Sequence, residues 1–337
     1  MIRTMPPALL RARDMIEPAL RESIRDLAPD IQRVVGYHLG FSDAEGQPVA
    51  GEGGKAVRPA LALLSAEAAG APADVGIPGA VAVELVHNFS LLHDDVMDHD
   101  LERRHRPTAW ALFGMGQAIV TGDALMVLAQ RVLMEPATPE HSSAAAALAR
   151  ATAGMIEGQA QDLSFQSRLD VSVDECERMS ANKTGALLSC ASSIGAILAG
   201  AGDLEVASLA EFGLHLGLAF QAIDDWLGIW GRPALTGKPV AGDIREQKKT
   251  LPVVIALAAG GPDSDRLREL LSNGGLSEAQ VSMAADLVER CGGSERTRTE
   301  AGRHLALALG ALDRAPLALP AREQLEEIAR FVTARDF

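Results

Sequence analysis

The sequence predicts an all-α fold, and three observations carry that expectation. Alanine and leucine dominate the 337 residues, and both form helices readily. Aromatic residues make up only 4%, with a single Tyr, so the residue types that mark strands are thin. Apolar residues recur with helical spacing almost throughout, between breaks punctuated by Pro and Gly.

The elements follow in order. Residues 8–27 read as an amphipathic helix and 29–39 as a second. A Gly-rich loop, Gly51-Glu52-Gly53-Gly54, precedes Lys55, and the next helix begins near Pro59, a residue suited to a first turn. Long helical segments cover 75–102, 118–134, 140–165, 173–200 and 204–230. The breaks between them hold Pro72, Pro107, Pro136 and Pro139, the stretch Ser167–Asp170, and Gly200 with Gly202. Gly231-Arg232-Pro233 opens a loop, and shorter helices fill 249–260, 264–273, 277–291, 295–312 and 319–334. Gly260-Gly261-Pro262 and Gly292-Gly293 read as turns. No long linker or repeat divides the chain, so a single domain over residues 1–337 is the simplest expectation.

Composition narrows the function. A net charge of −14, with basic residues grouped only at Arg103–Arg106 and Lys248-Lys249, argues against a nucleic-acid backbone as ligand. Both groups follow acidic clusters, which suits a small polyanion bridged by metal. No uninterrupted apolar run of about 18 residues occurs, so no membrane span is expected. The first residues lack a continuous apolar segment of secretory type. Three scattered cysteines (Cys176, Cys190, Cys291) make neither a disulfide framework nor a zinc site, and the expected setting is a reducing cytoplasm.

Two aspartate clusters lie inside apolar helical runs: Asp94, Asp95 and Asp98 within Phe89–Asp98, and Asp224-Asp225 after Phe220-Gln221. Asp94 and Asp98, four apart, share a helix face with Asp95 beside them. A solvated helix face is the ordinary reading of such a run. Leu91, Leu92, Val96 and Met97 make these surroundings apolar, however, and a bare carboxylate beside apolar surface is costly. Oxygen ligands on one face suit Mg²⁺, which joins carboxylates to substrate phosphates. Arg103 and Arg104 follow within two turns, and arginine forks grip phosphate in bidentate fashion. His93 and His99 adjoin the aspartates, but magnesium prefers oxygen. Trp226 and Trp230 read as packing.

On these residues the chain resembles the trans-isoprenyl (polyprenyl) diphosphate synthases. The resemblance runs in order from about residue 50 to residue 255. It takes in Gly53-Gly54-Lys55-Ala56-Val57-Arg58-Pro59, the first aspartate motif with Arg103-Arg104, Gly122-Asp123, and Gly158-Gln159 with Asp162. It continues through Lys183-Thr184-Gly185, Phe220-Gln221 before Asp224-Asp225, Gly237-Lys238 and Asp243–Pro252. The resemblance implies a single-domain bundle of long antiparallel helices around a deep central cavity, acting as a cytoplasmic homodimer. It implies three Mg²⁺ ions on Asp94, Asp95, Asp98 and Asp224, with Asp225 beside them, holding an allylic diphosphate. Arg103, Lys183, Lys238 and Lys248 would assist, with Thr184 and Gln221 near the reacting carbons. Isopentenyl diphosphate would sit on Lys55, Arg58 and Arg104, with His87 as a further contact.

Two departures stand out. The second motif reads Asp-Asp-x-x-Gly, with Gly228 where the family usually has Asp, and His105 follows Arg103-Arg104 where Gly is common. The resemblance also implies that Phe89 and Ser90, five and four residues before Asp94, form the floor of the elongation cavity. One aromatic there points to a C20 product, geranylgeranyl diphosphate, with C15 farnesyl diphosphate the nearest competitor. A terpene cyclase on the same fold would have no use for the Lys55, Arg58 and Arg104 set, and a non-catalytic subunit would not need the aspartates.

Overall fold

The structure is a computed structural model that describes residues 5–49, 54–231, 240–272 and 274–334. Among the described residues it is all-α apart from one two-residue-per-strand hairpin and an isolated bridge between Ser42 and Pro48. The helices are α1 (Pro7–Ser23), α2 (Pro29–His38), α3 (Val57–Ala68), α4 (Ile77–Met97), α5 (Ala109–Phe113), α6 (Met115–Met134) and α7 (Pro139–Phe165). Then come α8 (Val173–Ser180), α9 (Ala186–Leu198), α10 (Asp203–Trp230), α11 (Gly242–Arg245), α12 (Leu251–Ala258), α13 (Pro262–Ser272), α14 (Glu278–Arg290), α15 (Gly293–Leu312) and α16 (Leu319–Thr333). The hairpin strands are β1 (Glu102–Arg103) and β2 (Arg106–Pro107).

Local chemistry accounts for most boundaries. Pro stands at the first turn of α1, α2, α4 and α12, where its missing N–H costs nothing. Ser172 caps α8 and Ser277 caps α14, each in a reciprocal pair with the side chain three residues on, Glu175 and Gln280. The run 173–200 is not one helix. Ala181–Gly185 forms a π turn between α8 and α9, and such turns recur at functional positions.

The packing divides the chain into two compact units, each assembled from separated segments: residues 1–152, 190–210 and 314–328 in the first, 153–189, 211–313 and 329–337 in the second. The first unit buries Leu61, Leu63 and Leu64 of α3, Leu85 and Leu92 of α4, and Leu125, Leu128 and Leu133 of α6. In the second, α11 to α14 close over Ile244, Val253, Leu257, Leu267, Leu271 and Leu287. A neighbouring cluster joins Phe165, Cys176, Ile223, Leu227 and Val254. Three helical stretches, Ala73–Met97, Met115–Met134 and Asp203–Trp230, are long and apolar enough to cross a membrane by length and composition alone. The sequence reading did not single them out, because isolated polar residues interrupt each run. Two of the three carry the aspartate clusters.

Candidate active site

In the first unit, α4 delivers the first cluster at its C-terminal end. The Asp98 N–H donates to the Asp94 carbonyl at 2.8 Å, so helical geometry persists one residue past Met97 and stacks the two side chains as their spacing predicts. Three carboxylates at this end oppose the negative pole of the helix dipole, an arrangement that needs a compensating cation. Asp95 is 1% exposed. Arg103 donates to its Oδ1 from Nε at 2.7 Å and approaches it from Nη2 at 2.6 Å. The other oxygen, Oδ2, is shut from solvent with no hydrogen-bond partner. Burial raises the Asp95 pKa, and Arg103 opposes that rise. An orphaned buried carboxylate oxygen beside two further aspartates fits a divalent metal.

Arg103 reaches Asp95 because β1 and β2 pair in register around a two-residue turn, Arg104-His105. Both turn residues have positive φ, 53° and 60°. That is the turn which matches strand twist best and for which glycine is favoured, so His105 holds a strained place.

Arg104 lies beside the Lys55 loop: a Cβ on Gly54 would come within 3.1 Å of the Arg104 guanidinium. Arg58 interacts with Glu84, and its buried Nε has no partner. Burial lowers the Arg58 pKa and raises that of Glu84. His87 is held neutral, its pKa driven well down by burial and then by Arg58, Arg104 and Arg103. The structure thus brings Arg58, His87 and Arg104 together and sets exposed Lys55 next to Gly54. Arg103 faces Asp95, Asp100 and Asp94, whereas Arg58 and Arg104 share Glu84, which leaves that pair a partly desolvated positive excess that calls for an anion.

Phe89 is buried and meets His93 edge to face at 4.9 Å. His93 Nε2 in turn lies 3.0 Å from the Ile119 carbonyl of α6. Ser90 donates its hydroxyl to the His87 carbonyl at 2.8 Å, which keeps it close to its own helix.

The second unit carries the other motif residues. A Cβ on Gly158 of α7 would lie 2.2 Å from the Lys183 backbone nitrogen, so only glycine allows α7 to reach the π turn. Lys183 Nζ donates to Asp162 Oδ2 at 2.6 Å. The Thr184 hydroxyl donates to Gln221 Oε1 at 2.6 Å, and Gln221 Nε2 donates to Asp225 Oδ1 at 2.7 Å. Asp225 Oδ2 accepts the Leu251 N–H at 2.9 Å. Both Asp225 oxygens therefore take protein donors, and burial lifts its pKa to about 7. Exposed Asp224 is the carboxylate of this pair that faces water. The Gln221 amide oxygen is engaged by Thr184. Lys248 pairs with Glu246 at 2.9 Å, and Lys238 lies outside the described residues.

Gly228 has a clear cause. A Cβ there would lie 1.9 Å from Asp243 Oδ2, because the buried Asp243 carboxylate occupies that space. Asp243, Asp162 and Glu84 were not among the expected site residues. Asp162 sits four residues after Gly158 on one helix, a legible spacing. Asp243 and Gly228 meet only through the fold.

An all-α chain with carboxylates near two helix C-termini and a partly desolvated arginine cluster has the makings of an enzyme acting on phosphorylated substrates. Comparison with known proteins makes this specific. The polyprenyl synthetase family model matches residues 45–288. The (2E,6E)-farnesyl diphosphate synthase of Mycobacterium bovis is 45% identical over 340 residues, covering 99% of this chain and 94% of its own. A geranylgeranyl diphosphate synthase of Mycobacterium tuberculosis is 40% identical over 308 residues, covering 90% and 87%. A polyprenyl synthetase from Streptomyces coelicolor superposes with TM-score 0.93 at 51% identity, covering 98% of this chain and 99% of its own. A polyprenyl synthase from Caulobacter crescentus complexed with calcium and isoprenyl diphosphate gives TM-score 0.84 at 31% identity, covering 99% of each. The chain belongs to the polyprenyl synthetase family. It is a trans-prenyltransferase.

Proposed function

We propose that the protein condenses isopentenyl diphosphate with an allylic diphosphate to give a linear all-trans product, geranylgeranyl diphosphate. The single observation that carries the condensation is the pairing of two distinct chemistries in the first unit: an orphaned carboxylate oxygen on Asp95 and an arginine pair, Arg58 and Arg104, that Glu84 and Asp95 only partly compensate. A cyclase needs only the former.

Asp94, Asp95, Asp98 and Asp224 are the ligands proposed for Mg²⁺, three ions with diphosphate bound. Asp225 holds Gln221 and the start of α12 instead of offering a free oxygen. Metal bound there supplies positive charge to the departing diphosphate. Arg103 and Lys183 add fixed cationic donors for the same leaving group, with Lys238 and Lys248 as further cations, so the allylic C–O bond ionises. Lys55, Arg58, Arg104 and His87 hold isopentenyl diphosphate so that its double bond attacks the allylic carbocation. Proton loss to the departed diphosphate gives a product five carbons longer. Thr184 and Gln221 lock each other beside the π turn, and apolar walls keep water from quenching the cation.

The C20 assignment rests on buried Phe89 with small Ser90 beside it. The 45% identical farnesyl diphosphate synthase favours a second reading, C15. A homodimer of one-domain cytoplasmic chains completes the proposal. Its support is a stripe on α6, where Val120, Val127 and Met134 recur at intervals of seven and are 51%, 64% and 65% exposed. Purified protein incubated with Mg²⁺, isopentenyl diphosphate and each allylic starter, with mass analysis of the released alcohols, tests the reading. Linear C20 alcohol only when both substrates are present supports it, C15 selects the second reading, and hydrocarbon from a starter alone overturns both.

A further inference from the structure

His38 is the last residue of α2, and nothing in the mechanism above uses it. It lines a cleft of the first unit together with Tyr37, Asp95, Arg103, Arg104 and Arg106. The cleft is fixed from the α2 side. Tyr37 donates its hydroxyl to the Pro107 carbonyl at 2.7 Å, and the Arg106 guanidinium stacks 4.3 Å over the Tyr37 ring while donating to the Ser42 carbonyl. The end of α2 is thereby clamped to the hairpin that carries Arg103 and Arg104.

The imidazole is held on one side only. Asn88 hydrogen-bonds the ring and gives its own amide nitrogen to the Glu84 carbonyl at 2.8 Å and carboxylate at 3.1 Å, which leaves the Asn88 oxygen to accept from a ring N–H. The second ring nitrogen, Nε2, is shielded from solvent and has no partner. Burial and three neighbouring arginines keep the ring neutral, with a pKa near 3. A shielded polar atom without a partner is a standing cost, and natural folds hold few of them. An aliphatic or aromatic side chain would fill the same space without that cost. A neutral polar atom facing three guanidinium groups is what a ligand rich in anionic oxygens would meet.

We propose that His38 is a further contact of the isopentenyl diphosphate site, its Nε2 bonding a diphosphate oxygen gathered by Arg104. This rests on the reading that Arg58 and Arg104 hold that diphosphate. The proton in the bond is the ligand's own P–OH proton, donated to the neutral Nε2, so the ring keeps its protonation state. His38 thus contacts the homoallylic diphosphate from the Arg104 side of a cleft that Asp95 and Arg103 also line.

The test is steady-state kinetics of the full chain with Michaelis constants for the two substrates determined separately, in His38→Phe, His38→Gln and Arg104→Ala. Loss of one hydrogen bond to a charged group predicts that His38→Phe raises the KM for isopentenyl diphosphate about tenfold or more. The allylic KM and kcat stay within about twofold of the parent value, and His38→Gln, which restores a polar contact, recovers most of the loss. If His38→Phe does not fold, His38→Ala takes its place with the same expectations. An unchanged KM for isopentenyl diphosphate in a folded variant, or equal rises for both substrates, overturns the role of His38. If Arg104→Ala also leaves that KM unchanged, the underlying site assignment is what fails.

Discussion

Restoring the common acidic residue at position 228 should damage the protein, and even Gly228→Ala should. In an ordinary helix interior, Gly→Ala stabilises by about 1 kcal/mol. Here the added Cβ would lie 1.9 Å from Asp243 Oδ2 and 2.4 Å from its Cγ, well inside contact distance. Asp243 has little room to retreat, since it is 8% exposed and its neighbours Ala241 and Ile244 are core residues. Overpacking of this kind costs about 1–3 kcal/mol. The overpacking term wins or at least cancels the helix gain, and Gly228→Ala ends up as much as about 2 kcal/mol less stable than the parent. Gly228→Asp is worse, because it sets a second carboxylate against the first. Pairing Gly228→Asp with Asp243→Gly moves the carboxylate back across the contact and recovers most of the loss. Urea unfolding reads this as a fall in midpoint at constant m-value. A Gly228→Ala protein more stable than the parent would refute the claim that Asp243 occupies the space of the missing side chain.

Three further outcomes follow from the same structure. Phe89→Ala removes the buried ring packed on His93 and should lengthen the product by at least one five-carbon unit in mass analysis; unchanged length would refute the floor assignment. Asp225 has a native pKa of about 7, above the ordinary value of 3.8, so its contribution to stability is complete below about pH 4 and disappears as pH rises through 7. Three units correspond to about 4 kcal/mol, so Asp225→Asn in metal-free buffer should flatten the fall in stability between pH 4 and 7, and an unaltered profile would contradict the assignment. Val127→Glu places a charge in the exposed α6 stripe and should shift sedimentation toward monomer, whereas an unchanged mass would remove α6 from the interface.

The helices were legible because their apolar spacing persists over long runs and because Pro and Gly punctuate the breaks between them. What stayed hidden was tertiary in origin. The helix expected to run to residue 102 stops at Met97, and the hairpin beyond it turns on Arg104-His105, which carries none of the Asn or Gly chemistry that announces such turns. The π turn at Ala181–Gly185 breaks a run whose apolar spacing hardly changes, and the close approach that Gly158 allows to it comes from another helix. Each compact unit is built from separated segments, so no linker could have signalled it. Within the site, residue identities were readable but their commitments were not. Asp225 looks like the twin of Asp224 in sequence, yet its oxygens are given to Gln221 and Leu251. Gly228 looks like a loss until Asp243 is seen in its place.

The central claim is that two diphosphates are held by different chemistry, one with carboxylate-bound metal and one by protein side chains without metal. Calorimetric titration of the metal-stripped protein, repeated with Mg²⁺, tests it most directly. The account predicts that isopentenyl diphosphate binds without metal and loses that binding in Arg104→Ala, while an unreactive allylic diphosphate analogue binds only once Mg²⁺ is present. Equal metal dependence for both ligands, or none for either, would contradict it.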